Sequence, residues 1–251
     1  MKKRLFCLPL WSCLLLGAWD FPAGAADQPQ WGQAWSRNFV SSEKNLPDSF
    51  DPQSGRNIKW SAQLGTETHS TPVVAGGRVY IGTNNGKPRD PKYQGDRGAF
   101  MCFDEKNGQF LWQLVVPKLT NSVYWDQPRM GICSPATVDS NRVYLVSNRG
   151  EVMCLDALGL ANGNDGPYRD EARHAVAPGA DPVSLGPTDA DIQWLFDYIK
   201  ECGVRQHDSA YGSILIHKQF LYVNTSNGVD DTHRKIAALK MRGTTILLVD
   251  Q

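Results

Sequence analysis

The chain has 251 residues with 26 basic and 26 acidic side chains, so no global field draws it to nucleic acid or to an anionic membrane. Its length suits one β domain or two small ones, and 23 glycines with 15 prolines accord with a turn-rich β protein.

Residues 1–25 read as an export signal. Lys2, Lys3 and Arg4 form a positive start, Leu5 to Leu16 is apolar but too short to span a bilayer, and Ala23-Gly24-Ala25 has the small-x-small form of a cleavage site. Removing it leaves 23 basic against 25 acidic residues, since Lys2, Lys3, Arg4 and Asp20 go with it. The mature chain is expected to be periplasmic or extracellular, with no transmembrane helix. Lipid anchoring at Cys13 is the alternative, but Trp11 is bulky where a lipoprotein box wants small residues. Of six cysteines, Cys102, Cys133, Cys154 and Cys202 remain. Cys102 and Cys154 hold matching places in successive repeats, and such atoms lie beyond the roughly 7 Å reach of a disulfide. Four buried, unpaired thiols are expected.

Residues 26–56 form an irregular polar entry. Asn57 to Ala62 then alternates as a strand carrying Trp60. A first unit follows: Thr71 to Ala75 and Arg78 to Thr83 flank Gly76-Gly77, and Ala99 to Asp104 and Gln109 to Val115 flank a turn closed by Gly108. The second unit repeats this order with Pro135 to Val138, Arg142 to Ser147, Glu151 to Asp156 and Asp191 to Phe196. A polar insertion, Ala157 to Ala190, separates its last two strands. Ile192 to Cys202 reads as a strand continuing into a loop, with a short helix as the other option. A third unit contains Ser213 to Ile216, Gln219 to Asn224 and Thr244 to Asp250.

The units share positions as well as strands. Val79-Tyr80-Ile81, Val143-Tyr144-Leu145 and Leu221-Tyr222-Val223 coincide, and Trp60, Trp112 and Trp194 take the same fourth-strand place. Self-similarity at this length, four antiparallel strands per unit, predicts an all-β chain of β-propeller blades spanning residues 57–251. About three blades are present, an incomplete ring, and an unneighboured Thr244 to Asp250 edge is expected to favour aggregation.

Cys102-Phe103-Asp104-Glu105-Lys106-Asn107-Gly108-Gln109-Phe110-Leu111-Trp112 resembles the pyrroloquinoline-quinone (PQQ) repeat, A-x-D-x-x-T-G-x-x-x-W, with Cys for Ala and Asn for Thr. Cys154-x-Asp156 and Asp250 continue the pattern more loosely. The resemblance implies a truncated PQQ-like propeller. Its classes include quinoprotein dehydrogenases holding PQQ with Ca²⁺ over an axial funnel, and binding scaffolds such as the propeller lipoprotein of the outer-membrane barrel-assembly machinery. The chain has no adjacent cysteine pair, and no Asp matches the catalytic base. The implied function is a non-catalytic binding or assembly scaffold with no cofactor; the alternative is a fragment of a PQQ-dependent oxidoreductase. A protein or small-ligand partner is expected at the propeller face.

Asp104, Gly108, Trp112, Asp156, Trp194 and Trp60 read as structural: Asp accepts bonds from turn N–H groups, Gly takes a left-handed position, and Trp fills space between twisted sheets. His69, Cys133 and Tyr211 precede the first strands of the three units at matching positions, with Arg129 and His207 nearby. Propeller loops of this kind converge on one face, which makes these five the pocket candidates. His69-Ser70 lacks the third partner of a nucleophilic triad. Asn162, Asn164, Asp165 and Asp170 in the insertion offer hard oxygens to a Ca²⁺ ion, although their spacing misses the EF-hand loop. N-terminal sequencing of the exported protein should give Ala26 first; a lipid-modified Cys13 at that end would show the other export route.

Overall fold

The computed structural model describes residues 26–34, 36–120, 125–206, 210–225 and the strand 245–250. Tight turns and short apolar runs fold into three antiparallel sheets in chain order. The first comprises β1 (Val73–Ala75), β2 (Arg78–Asn84), β3 (Arg97–Asp104) and β4 (Phe110–Pro117). The second comprises β5 (Thr137–Asp139), β6 (Arg142–Val146), β7 (Glu151–Asp156) and β8 (Ile192–Asp197). The third pairs β9 (Leu215–His217) with β10 (Phe220–Thr225) and β10 with β11 (Thr245–Asp250). These are propeller blades: four-stranded meanders in the first two cases, three described strands in the last.

The repeat is visible as a row of side chains across each blade. Tyr80 lies opposite Cys102, and Cys102 opposite Trp112; Tyr144, Cys154 and Trp194 make the same row in the second blade. Both blades break register one residue later, between Cys102 and Phe103 and between Cys154 and Leu155. The Tyr and Trp rings of each row stand 6.1 Å apart. A side chain in one strand meets its directly opposite neighbour, so a shared row means a shared packing surface. Tyr80, Cys102 and Trp112 face Val143, Leu145, Met153 and Leu155 of the second blade in one buried core. Tyr144, Cys154 and partly buried Trp194 face Ile214, Leu221 and Val223 of the third in another.

Tryptophans lock the blades together. Trp112 Nε1 donates to the Ala157 carbonyl at 2.9 Å, and Trp60 Nε1 donates to the Glu105 carbonyl at 2.8 Å. Ala157 and Glu105 each follow the Asp that ends a third strand, so the two contacts are equivalent. Each ring lies flat against a glycine with positive φ: a Cβ on Gly108 would sit 2.6 Å from Trp60 ring atoms, and one on Gly159 would sit 2.7 Å from Trp112 Cγ. Asp104 Oδ1 accepts from the N–H groups of Lys106 and Asn107, and Asp156 Oδ1 from that of Leu158, which fixes the turn that carries the glycine.

Asn57–Ala62 forms no strand, contrary to the alternation of its sequence. It lies against the outer face of the first blade, where Trp60 and Ala62 cover Met101 and Phe103. Packing decides this stretch, and Trp60 keeps its docking role without a ladder. Ile192–Cys202 is a strand followed by a short helix, α1 (Tyr198–Cys202), rather than a loop. Asp197 Oδ1 caps it by accepting from Ile199 and Lys200 N–H, and Gly203 ends it in the left-handed conformation. Cys102, Cys133 and Cys154 are buried and Cys202 is exposed, against the expectation for the last. Burial pushes the Cys154 thiol up to about 11, keeping it protonated at neutral pH.

The insertion docks instead of floating in solvent. Gln113 of β4 donates to the Thr188 carbonyl and accepts from Ala190 N–H, adding a parallel bridge at Asp189 to the edge of the first blade. Asp189 is buried and takes Lys92 Nζ at 2.7 Å and the Tyr93 hydroxyl at 2.8 Å.

Trp112→Ala removes a buried ring and an interblade hydrogen bond together, and should cost about 3–5 kcal/mol in urea unfolding. Gly108→Ala should cost about 1–3 kcal/mol from its left-handed backbone alone, before the clash with Trp60. A loss below about 1 kcal/mol for Trp112→Ala would show that the interblade contact is incidental.

Candidate functional site

The loops entering β1, β5 and β9 meet at one end of the blades. Ser70 Oγ donates to the Ser134 carbonyl at 3.2 Å, and Ser134 Oγ donates to the Gly212 carbonyl at 2.8 Å. Ser70, Ser134 and Gly212 each follow one of the matching positions, so every hydroxyl here is tied to the equivalent backbone of the next blade. Ser70 thereby fastens its loop to the second blade. Its neighbour His69 has Nε2 3.8 Å from Glu67 Oε2.

A cavity of about 370 Å³ opens at this end. His69, Cys133 and Tyr211 all line it, one from each blade, with Thr71, Pro135, Ser213 and Asn224 between them. Tyr211 is 47% exposed, whereas Cys133 is buried with its sulfur 3.6 Å from the Met130 carbonyl. Trp31 forms the remaining wall. It comes from the entry segment, whose sequence is irregular and polar. The only cue in the sequence was an aromatic residue in a polar stretch.

Trp31 is placed by long-range bonds. Gln28 pairs with Val74 of β1 in both directions, and the Pro29 carbonyl accepts from Val138 of β5. Arg37 Nη1 then reaches Ser213 Oγ at 2.5 Å and Nη2 the Ile214 carbonyl at 2.8 Å. Trp31 sits between these anchors, edge-on to Phe39 with ring centroids 4.8 Å apart.

Two other candidates fall elsewhere. Arg129 is outside the cavity wall: its Nε faces Glu67 Oε1 at 3.2 Å, and its backbone N–H donates to Asp96. Its side chain is 74% exposed. His207 lies outside the described residues.

Asn162, Asn164, Asp165 and Asp170 do not converge on one point. Asn162 Nδ2 donates to Asp165 Oδ2, Asn164 Nδ2 donates to Glu171, and the Arg169 guanidinium holds both oxygens of Asn164. A guanidinium thus sits where a metal would need the amide oxygen. Among the described residues no three His, Cys, Asp or Glu side chains gather to hold a metal ion.

The chemistry of the cavity wall is that of a binding surface: two aromatic faces, an imidazole, an amide and hydroxyls. PQQ carries three carboxylates and is held in its enzymes with a calcium ion. Among the described residues lining this cavity there is no Lys or Arg for those carboxylates and no Asp or Glu for the cation.

A family model described as outer membrane protein assembly factor BamB matches residues 26–156, a little over half of the 251. Three solved structures are similar at 13% identity each. The quinohemoprotein alcohol dehydrogenase of Comamonas testosteroni aligns over 80% of this chain and 24% of its own length, with a TM-score of 0.44. BamB of Moraxella catarrhalis aligns over 71% and 38%, and a europium-containing methanol dehydrogenase over 68% and 26%, both with a TM-score of 0.35. The chain therefore spans about a quarter to two fifths of these proteins. No match is found among curated proteins.

Asp191, at the foot of the insertion, offers a test of how the site's scaffold responds to pH. It is fully buried, Gln193 Nε2 donates to its Oδ2, and its Oδ1 has no hydrogen-bond partner among the described residues. Burial, with the Asp165 and Glu171 carboxylates adding, pushes its pKa up to about 6. A carboxyl raised in the folded state stabilises the fold while protonated, and that contribution is lost as pH rises through 6. Asp191→Asn should therefore match the parent near pH 4 and exceed it by about 2–3 kcal/mol at pH 8 in urea unfolding. Equal stability at both pH values would place the charge outside the folding balance.

Proposed function

Since the chain belongs to the family described as outer membrane protein assembly factor BamB, we propose that it is an exported binding scaffold. It holds a partner protein at the loop end of its blades and takes no part in bond chemistry. Residues 1–25 act as a cleaved export signal, with lipid anchoring at Cys13 as the alternative. No helix of the described residues is long and apolar enough to cross a membrane.

The observation that carries this reading is the cavity itself. One residue from each of three blades meets Trp31 of the entry segment, so the wall exists only when the blades are assembled. Its aromatic and hydrogen-bonding surface suits a protein side chain or turn: large rigid rings contribute contact area at low entropic cost, and neutral polar groups set orientation. The family's printed role, assembly of outer membrane proteins, supplies the class of partner.

A direct titration decides it. Purified chain and a purified outer-membrane assembly partner should bind saturably, and Tyr211→Ala should weaken binding about tenfold while leaving the unfolding transition in place. Addition of PQQ and Ca²⁺ should give no spectral change and no dye-linked alcohol oxidation. Turnover with PQQ would replace the scaffold reading with the oxidoreductase one.

A further inference from the structure

The innermost strands β1, β5 and β9 are repeat equivalents, and their central residues pair alike: Val74 with Val79, Val138 with Val143, Ile216 with Leu221. Each strand ends in a two-residue turn whose first residue has positive φ: 58° at Gly76, 55° at Ser140 and 55° at Lys218. In such a hairpin the residues flanking the turn exchange the ladder bonds, so the central residue turns its own N–H and C=O away from the second strand. In all three blades these groups therefore face the propeller axis.

The entry segment pairs with both groups in the first blade and with the N–H in the second. Gln28 N–H donates to the Val74 carbonyl at 2.8 Å, Val74 N–H donates back at 3.1 Å, and Val138 N–H donates to the Pro29 carbonyl at 2.7 Å. The segment then leaves the axis, and among the described residues its hydrogen bonds to the third blade come from the Arg37 side chain, at Ser213 and Ile214. Among the described residues nothing across the axis pairs with the N–H or C=O of Ile216. Beside it lies a groove of about 310 Å³ between Pro29, Ala34, Val138, Leu215, Ile216 and His217. Its lining is largely apolar, and Leu215 on its rim is 38% exposed.

We propose that this groove at β9 docks an extended peptide segment of a partner protein, which pairs through its main chain with Ile216 as Gln28 pairs with Val74. The occupant follows from continuity with the contact beside it. The two sister edges already carry extended chain, and Pro29, Gln30 and Ala34 of that chain form one wall of the groove. An arriving strand continues the same line of backbone bonds. Side-chain specificity is modest: an uncharged, apolar residue fits between Val138 and Leu215, with Asp139 and His217 marking the polar limit. The inference concerns the axial edge and does not depend on the loop-end cavity.

The probe is a labelled peptide copying residues 26–30, Ala-Asp-Gln-Pro-Gln, added to the full chain, with amide hydrogen exchange and fluorescence anisotropy as readouts. Saturable binding should slow exchange at Ile216 by at least about fivefold and leave Val74 and Val138 as protected as before. N-methylation of the peptide's glutamine at its third position should weaken binding about tenfold, one backbone bond being lost. Ile216→Pro should do the same; if that variant fails to fold, the N-methyl peptide still decides. Protection at Val74 alone would mean that the peptide displaces the entry segment, and would overturn the proposal. Ile216 protection that grows with protein concentration in the absence of peptide would assign the groove to a second copy of the chain and also overturn it. So would binding indifferent to N-methylation.

Discussion

An indole ring laid against a glycine, with its N–H on the neighbouring carbonyl, couples the first blade to the second and fastens the entry segment to the first. Trp60 meets Gly108 and Glu105; Trp112 meets Gly159 and Ala157. The contact combines two requirements that few residues meet together. The turn must offer a flat, side-chain-free surface at positive φ, and the ring must bring a donor that would be costly to bury unpaired. Each blade is itself a thin twisted sheet that cannot enclose a core, so this contact and the Tyr–Cys–Trp row beneath it supply the apolar burial that a single blade lacks. Two blades of different length and with different insertions keep the same register break because both must present the same row.

Interblade packing in turn places the loop end. The distance between His69 and Cys133 is set by nothing local. It follows from the pitch between blades, fixed by the tryptophans, and from Ser70 and Ser134 tying each loop to the next carbonyl. The entry segment adds a second, independent tie along the axis through Gln28, Pro29 and Arg37. Trp31 is a by-product of that path, since a chain anchored on both sides has few ways to direct the ring between the anchors.

The insertion shows how a polar stretch becomes structural. Asp189, buried under Lys92 and Tyr93, and the Gln113 bridge hold it on the first blade's edge, where an exposed strand would otherwise invite pairing. Asp165 and Glu171 also take bonds from neighbouring asparagines within it. Asn164 and Asp165 look like cation ligands by composition, yet Arg169 and Asn162 already occupy their oxygens.

The blade pattern was legible from residues alone because its determinants are local. Asp104 with Gly108 makes a turn, alternation makes strands, and recurrence of Tyr, Asp and Trp identifies the unit; the same recurrence put His69, Cys133 and Tyr211 on a common face. Local cues also exist for α1, where Asp197 and Gly203 bracket five residues, but the recurrence of Trp194 in the fourth-strand place argues for strand and loop. What tertiary structure alone decided is everything whose partner lies far along the chain. Asn57 to Ala62 alternates like a strand, yet it has no neighbouring edge to pair with and is held by Trp60 and its apolar contacts. Arg129 is close in sequence to the cavity residues, but it pairs with Glu67 and is absent from the cavity wall. Trp31 enters the cavity through bonds to Val74, Val138 and Ile214, made across 46, 109 and 177 residues of chain. Periodicity reports which face a residue occupies within its own unit; it carries no information about which distant segment comes to lie against that face.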